Sequence, residues 1–231
     1  MSDQQRKIYQ SDGDRYEALI SREDTQGNIL RAIDEICKVD GLDVLDLGAG
    51  TGRLTLLLAS RAGSIHSFDA SSEMLRVCRE RLVASGLTNW QVDVADHRLL
   101  PVPDHSADLA VSGWSVSYLA VWDQGNGAAE LDTWLDEMKR VLRSGGTIIL
   151  FESLGTGNET PVRLEHVEST YHWLDAHGFE SKWIRTDYQF ESLDEAAELA
   201  GFFFGAEMAE QIRRNGNMIL PECTGVWWRK V

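Results

Sequence analysis

Cysteine is scarce in this chain: three in 231 residues, Cys37, Cys78 and Cys223. An odd number, widely scattered and without ligand spacing, excludes a disulfide framework and a cysteine-based metal site. Two of the three fall within helical patterns, where reduced, partly buried thiols are expected. Basic residues are also few, 22 Lys and Arg against 37 Asp and Glu, for a formal net charge of −15. A polyanionic partner needs clustered Lys and Arg, whereas those present are spread along helices, as in Arg76, Arg79 and Arg81. Nucleic acid is therefore not expected as a partner, and the acidic excess reads as a solvated surface that aids solubility. Long apolar runs are missing, and none nears the ~18 residues that a membrane span requires. The segment Met1 to Lys7 is polar and has no leader character, so a cytoplasmic location without a membrane partner is expected. There is no low-complexity tract and no internal repeat, and the composition is that of a globular protein. The length suits one α/β domain with a full core.

Against these absences stands one concentrated feature, Val44-Leu45-Asp46-Leu47-Gly48-Ala49-Gly50-Thr51-Gly52. It reads as a short buried strand that runs into a glycine-rich turn and opens a helix. Gly48, Gly50 and Gly52 remove side chains, so backbone passes close to a ligand and N–H groups point at it. Asp46 precedes the first glycine by two residues, and Asp69 ends the next apolar strand, Ser64 to Phe68. In an open α/β sheet ligands bind at the carboxyl ends of such strands, where an acid accepts two hydrogen bonds from a ribose diol.

Here the chain resembles the class I S-adenosylmethionine (SAM)-dependent methyltransferases, whose first motif reads acid-x-Gly-x-Gly-x-Gly; Asp46 to Gly52 matches it in full. A dinucleotide-binding turn prefers G-x-G-x-x-G, with a small residue where this chain has Arg53, so the spacing favours SAM over a nicotinamide cofactor.

The remaining pattern predicts a helix over Asp24 to Val39, strands over Leu42 to Leu47 and Ser64 to Asp69, and an intervening helix through Leu54, Leu57 and Leu58. A capped helix follows, from Ser71-Ser72 to Gly86. Strands are expected at Asn89 to Val94 and Ala107 to Ser112, a helix at Ala128 to Leu142 ended by Ser144-Gly145-Gly146, and a central strand at Thr147 to Phe151. A helix over Val162 to His177, a strand over Trp183 to Phe190, a helix opened by a capping box at Ser192 to Glu195, and a strand near Cys223 to Arg229 complete the reading. Alternation of strand and helix implies α/β architecture with a doubly wound, mostly parallel sheet. The resemblance implies a Rossmann-like seven-stranded sheet with an antiparallel C-terminal hairpin and helices on both faces. It also implies a single domain, with residues 1–23 as lid, 24–152 as SAM-binding core and 153–231 contributing to the acceptor pocket.

By the same resemblance Asp46, Gly48, Ala49, Gly50, Gly52 and Asp69 hold the cofactor. Ala70 and Met74, in Asp69-Ala70-Ser71-Ser72-Glu73-Met74-Leu75, flank the adenine, although a helical methionine also serves as plain core. Asp96 and His97 take the place that reads the adenine edge, with His97 standing where the family has alanine. Ser112 faces the methionine end, and a hydroxyl of Tyr9 or Tyr16 meets the methionine carboxylate or else anchors the terminus. Seven of the eight tryptophans lie after residue 113. Trp114, Tyr118 and Trp122 follow the fourth strand, and Trp114, Tyr118, Tyr171, Arg185 and Tyr188 are the substrate-side candidates. Aromatic walls with a few polar groups suit a small acceptor, and core packing is the competing reading. No base is evident; His166 and Glu222 are the candidates, with Asp187 a further polar contact. The N-P-P-Y motif of amide- and adenine-nitrogen methylation and the acidic Mg²⁺ cluster of catechol-type enzymes are missing. His172 and His177 are poorly spaced for a shared ion, so no metal is expected. The expected function is transfer of the SAM methyl to a small-molecule acceptor, with a non-catalytic SAM-binding protein or a nicotinamide-dependent oxidoreductase as alternatives. The oligomeric state is not encoded in any recognisable pattern.

Overall fold

Val44-Leu45-Asp46-Leu47, Leu109-Ala110-Val111 and Ile148-Ile149-Leu150-Phe151 are buried on both faces, as strands between two helix layers require. The computed structural model describes residues 3–122 and 126–231. The side chains of Asp3 and Trp122 lie outside the described residues. In chain order the elements are α1 (Asp3–Ser11), α2 (Gly13–Ile20), α3 (Asn28–Ile36), β1 (Asp43–Leu47), α4 (Arg53–Ala59), β2 (Ser64–Asp69), α5 (Ser72–Ser85) and β3 (Trp90–Val94). They continue with β4 (Ala107–Gly113), α6 (Ser117–Trp122), α7 (Gly127–Val141), β5 (Leu142–Thr156), a 3-10 turn (Glu165–Val167) and α8 (Glu168–Ala176). The last are β6 (Glu180–Arg185), β7 (Tyr188–Gln189), α9 (Leu193–Phe204), α10 (Ala206–Asn215), β8 (Ile219–Leu220) and β9 (Glu222–Lys230).

Seven strands form one sheet in the order β3-β2-β1-β4-β5-β9-β6. The first five are parallel, and β9 runs antiparallel between β5 and β6. The expected doubly wound sheet with an antiparallel carboxyl-terminal pair is therefore present. β1 pairs on one side with β2 and on the other with β4, so the winding reverses at the carboxyl ends of β1 and β4. That switch point is where such sheets bind ligands, and the glycine turn sits there. One face is closed by α7 and α8 through Trp134, Met138, Tyr171 and Leu174. The other is closed by α3 and α4 through Ile29, Ile33, Leu54 and Leu58. Leu19, Tyr188, Phe190, Ala196, Ile212 and Leu220 gather α2, α9, α10 and the small β7–β8 sheet. Among the described residues no helix is long and apolar enough to cross a membrane.

Several boundaries differ from the sequence pattern. α3 begins at Asn28 because Asp24, at φ +57°, turns its carboxylate onto the N–H groups of Asn28 and Ile29 at 2.7 and 2.9 Å. The strand expected through Phe190 ends at Arg185, whose guanidinium holds Asp187 at 2.7 and 2.9 Å. Beyond that bend Tyr188 and Gln189 pair with β8 in the separate sheet. α8 starts late because the preceding segment is tied to the sheet, Val162 N–H donating to Leu154 O at 2.6 Å. Ser144-Gly145-Gly146 fall inside β5 rather than ending α7, which stops at Val141.

Candidate functional site

The glycine turn follows β1 with φ of +68° at Gly48, +57° at Gly50 and +89° at Gly52. At Gly48 an added Cβ would collide with the Ser115 side chain, and at Gly52 it would lie 2.7 Å from Cys78 Sγ. Backbone conformation and packing both demand glycine there. Gly48 and Ala49 N–H donate to Phe68 O at 2.8 and 2.9 Å, which ties the turn to the end of β2.

Two carboxylates flank this turn. Asp46 is buried; its Oδ2 accepts from Thr55 Oγ1 at 2.6 Å, while its Oδ1 has no partner. Desolvation pushes its pKa up to about 7, because burial favours the neutral acid. Asp69 accepts from Gly50 N–H at 2.9 Å on Oδ2 and from Ser71 N–H at 2.7 Å on Oδ1. Its pKa is raised as well, burial outweighing those bonds. Asp46, Gly48, Gly50, Tyr16, Arg53 and Trp114 border a narrow cavity of about 30 Å³.

Trp114 stands at the end of β4 with φ +53°, a left-handed conformation that is costly for a bulky residue. It is held by its N–H bond to Phe151 O at 2.6 Å and by its ring, stacked 5.9 Å from that of Phe151. The Arg53 guanidinium lies 4.0 Å over the same indole and pairs with buried Glu23 at 2.5 Å. Thr186 Oγ1 donates to Glu23 Oε1 at 2.9 Å and lies 2.6 Å from Thr224 Oγ1. Next to this polar column Glu222 accepts from Ser153 Oγ at 2.6 Å on Oε1 and has no partner on Oε2. Burial, with Glu23 adding to it, pushes the Glu222 pKa up to about 8.

Over the turn lies the amino-terminal segment. Glu17 of α2 accepts from Thr51 Oγ1 at 2.6 Å and from Arg81 at 2.9 Å, and Ser71 Oγ donates to Tyr9 O at 2.5 Å. The Tyr16 ring is 5.4 Å from that of Tyr9 and 5.3 Å from Phe203, and Tyr9 is 6.3 Å from Tyr118.

Of the candidates from sequence, Asp46, Gly48, Gly50, Tyr16 and Trp114 meet at the cavity, with Ala49 in its wall, while Gly52 and Asp69 shape the turn; Tyr9 packs on Tyr16, and Tyr118 joins through Tyr9. Ser112 Oγ donates to Leu47 O at 2.8 Å beneath the turn. His97 is buried near Gly48 with Nδ1 unpartnered, and desolvation lowers its pKa to about 4. Asp96 is engaged by Arg98, which holds its carboxyl down to about 2. Ala70 is exposed and Met74 is enclosed in the core. Other candidates fall elsewhere. Tyr171 is a core residue, stacked on Trp227 at 5.5 Å with its hydroxyl donating to Ser153 O, because β5 and β9 leave an apolar face that α8 must cover. Arg185 is spent on Asp187 and Glu159, His166 is exposed on the 3-10 turn, and Tyr188 is buried among α2, α9 and β8. Arg53, Glu23, Glu17 and Ser115 were not singled out as site residues by sequence; only the position of Arg53 right after the third glycine was a signal.

A family model described as a methyltransferase domain matches residues 38–199. The ubiquinone/menaquinone biosynthesis C-methyltransferase of Bordetella avium is 34% identical over 115 residues, 48% of this chain and 41% of that protein. The chain thus aligns with less than half the length of the curated relatives it matches. Among solved structures, a SAM-dependent methyltransferase from Aquifex aeolicus superposes with a TM-score of 0.59 at 16% identity, covering 92% of this chain and 93% of that one. Phosphoethanolamine N-methyltransferase 2 of Haemonchus contortus, solved with S-adenosyl-L-methionine, gives a TM-score of 0.63 at 14% identity, covering 100% of this chain and 60% of that one. At such identities these two structures share the fold with this chain.

Proposed function

The chain belongs to the SAM-dependent methyltransferase family, and on that premise we propose that it transfers the methyl group of SAM to a small-molecule acceptor. The observation that carries this reading is Asp46, a buried carboxyl in the cavity wall with one oxygen bound by Thr55 and the other without a partner. An unpaired buried acceptor is costly, and Asp46 Oδ1 would accept from the ammonium at the cofactor's amino-acid end. Asp69 spends one bond on each oxygen, and the lone pairs left over are sufficient for a ribose diol. Gly48 and Gly50 allow backbone to lie against the same ligand.

When bound, SAM supplies an electrophilic methyl carbon on its sulfonium. The work of the chain is to align the acceptor's lone pair with that carbon and to exclude water, and alignment alone is worth roughly 7–11 kcal/mol. Trp114 and Tyr118 form the acceptor side. Glu222, with one free oxygen and a pKa raised to about 8, is the base this region offers to an acceptor that must lose a proton. Tyr16 of α2 stands in the cavity wall and Tyr9 of α1 packs on it, so in this reading α1 and α2 act as a lid that lifts to admit the cofactor. In this reading residues 1–23 are the lid, 24–152 the cofactor core and 153–231 part of the acceptor pocket of one domain.

Calorimetric titration with SAM and S-adenosylhomocysteine tests the proposal. Micromolar binding that Asp69→Ala weakens by about tenfold or more, the loss of a charge-assisted hydrogen-bond pair, is the expected result. A folded protein that binds neither ligand overturns it.

A further inference from the structure

Tyr9 of α1 gathers rings from three other elements: Tyr16 of α2 at 5.4 Å, Phe203 of α9 at 6.2 Å and Tyr118 of α6 at 6.3 Å between centroids, and Tyr16 lies 5.3 Å from Phe203. Tyr16 also borders the cavity shared by Asp46, Gly48 and Gly50. Through Tyr16 the ring set adjoins the place where the preceding reading puts the cofactor's amino-acid end. Building on that reading, we propose that the methyl acceptor is a cationic amine whose ammonium group is received by the rings of Tyr9, Tyr16, Tyr118 and Phe203.

Aromatic faces carry the negative part of a quadrupole and attract a cation lying within about 6 Å of the centroid. The charges around the set have the same preference. Glu17, Glu23, Asp46 and Asp69 all lie at or under the turn, and the arginines that border it are committed. Arg53 is spent on Glu23 and the Trp114 ring, and Arg81 on Glu17 and Thr51 O. With four acids against two paired arginines, the charge balance at the turn disfavours an anionic acceptor and suits an ammonium. Burial raises the pKa of Tyr9 and Tyr118, so at neutral pH the rings act through their faces and not as phenolates.

The chemistry balances without a further reactant. The ammonium loses its proton to Glu222, the base named above, and the freed nitrogen lone pair forms the new N–C bond. The C–S bond breaks with its electron pair going to sulfur, which leaves a neutral thioether and a more substituted ammonium. Here the rings pack on one another, and two of them ride on α1 and α2, so lifting those helices opens the set to a ligand.

The test uses the full chain saturated with S-adenosylhomocysteine and titrates choline against its neutral isostere, 3,3-dimethylbutan-1-ol. Choline is expected to bind at least about tenfold more tightly, the effect of several rings acting together. Tyr16→Phe should keep that preference, and Tyr16→Leu should lose about fivefold of choline affinity, equivalent to ~1 kcal/mol. Binding of S-adenosylhomocysteine with no preference for choline overturns the proposal and leaves the methyltransferase reading intact. Failure to bind S-adenosylhomocysteine at all overturns both.

Discussion

A carboxyl group that burial holds near pKa 7, as Asp46 is held, is charged or neutral according to what sits beside it. Without a cation beside it the acid form dominates below that value; an ammonium next to Oδ1 favours the carboxylate and lowers the pKa. SAM affinity should therefore rise as pH is raised from 6 to 8, with a proton released on binding at the lower end. Calorimetry in two buffers of different ionisation enthalpy reads that proton directly. Asp46→Asn should abolish both the slope and the proton, and weaken binding at pH 8 by about tenfold or more, as loss of a charged hydrogen bond does. A flat wild-type profile with no proton released is the contrary outcome. Asp46 was legible in the sequence because it belongs to a contiguous motif whose spacing has a physical reason. Its neighbours Arg53 and Glu23 were not, since nothing local announces an ion pair between residues 30 positions apart. Tyr171 was misplaced for the reverse reason: an aromatic residue type says that area will be buried, not which side of the sheet will bury it.

Elements whose ends are set by local chemistry matched the sequence pattern, and those whose ends are set by distant partners did not. Ser192 caps α9 by accepting from Glu195 N–H at 3.1 Å, and Gly86 ends α5 in the left-handed region, both readable from residue type. The start of α3 and the end of β6 depend on Asp24 and on Asp187, which are tied across the chain: Asp24 N–H donates to Asp187 O at 3.1 Å, and Asp187 Oδ1 accepts from Glu222 N–H at 3.0 Å. The loop between α2 and α3 shows what such a long-range partner is worth. Glu23 sits there, buried, and is joined to the first residue of α4 by its pair with Arg53. Arg53→Ala leaves that carboxylate uncompensated, which should cost about 3–5 kcal/mol. Replacing both, as Arg53→Met with Glu23→Gln, should recover a large part of it. Urea unfolding of the two variants decides the matter: equal loss in both would mean that packing around the Trp114 ring, not the charge pair, fixes the loop.

For the molecule as a whole, the net charge of −15 and a set of buried titrating groups make stability depend on pH in a direction that can be worked out. Glu152 accepts from Ser117 N–H and Oγ, both at 2.9 Å, and burial pushes its pKa up to about 7. Asp46 and Glu222 are raised in the same way, to about 7 and about 8. A carboxyl whose folded pKa exceeds its unfolded one contributes stability that is complete below the unfolded value and lost as pH rises through the folded value. His97, lowered to about 4, has the opposite sign: its contribution is complete above the ordinary histidine range and lost as pH falls toward 4. Between pH 5 and 8 the three acids outweigh the one histidine, and self-repulsion of the acidic surface adds to the decline. The melting temperature should therefore fall across that interval. Glu152→Gln isolates one contribution, because the amide keeps an acceptor for Ser117 N–H and carries no charge. Relative to wild type it should gain roughly 2–3 kcal/mol between pH 5 and pH 8, the equivalent of a shift of about two pKa units. Thermal unfolding of both proteins at the two pH values measures that gain. A difference between them that stays constant from pH 5 to pH 8 would mean that Glu152 does not titrate in the folded protein, and the decline would then belong to Asp46, Glu222 and the surface.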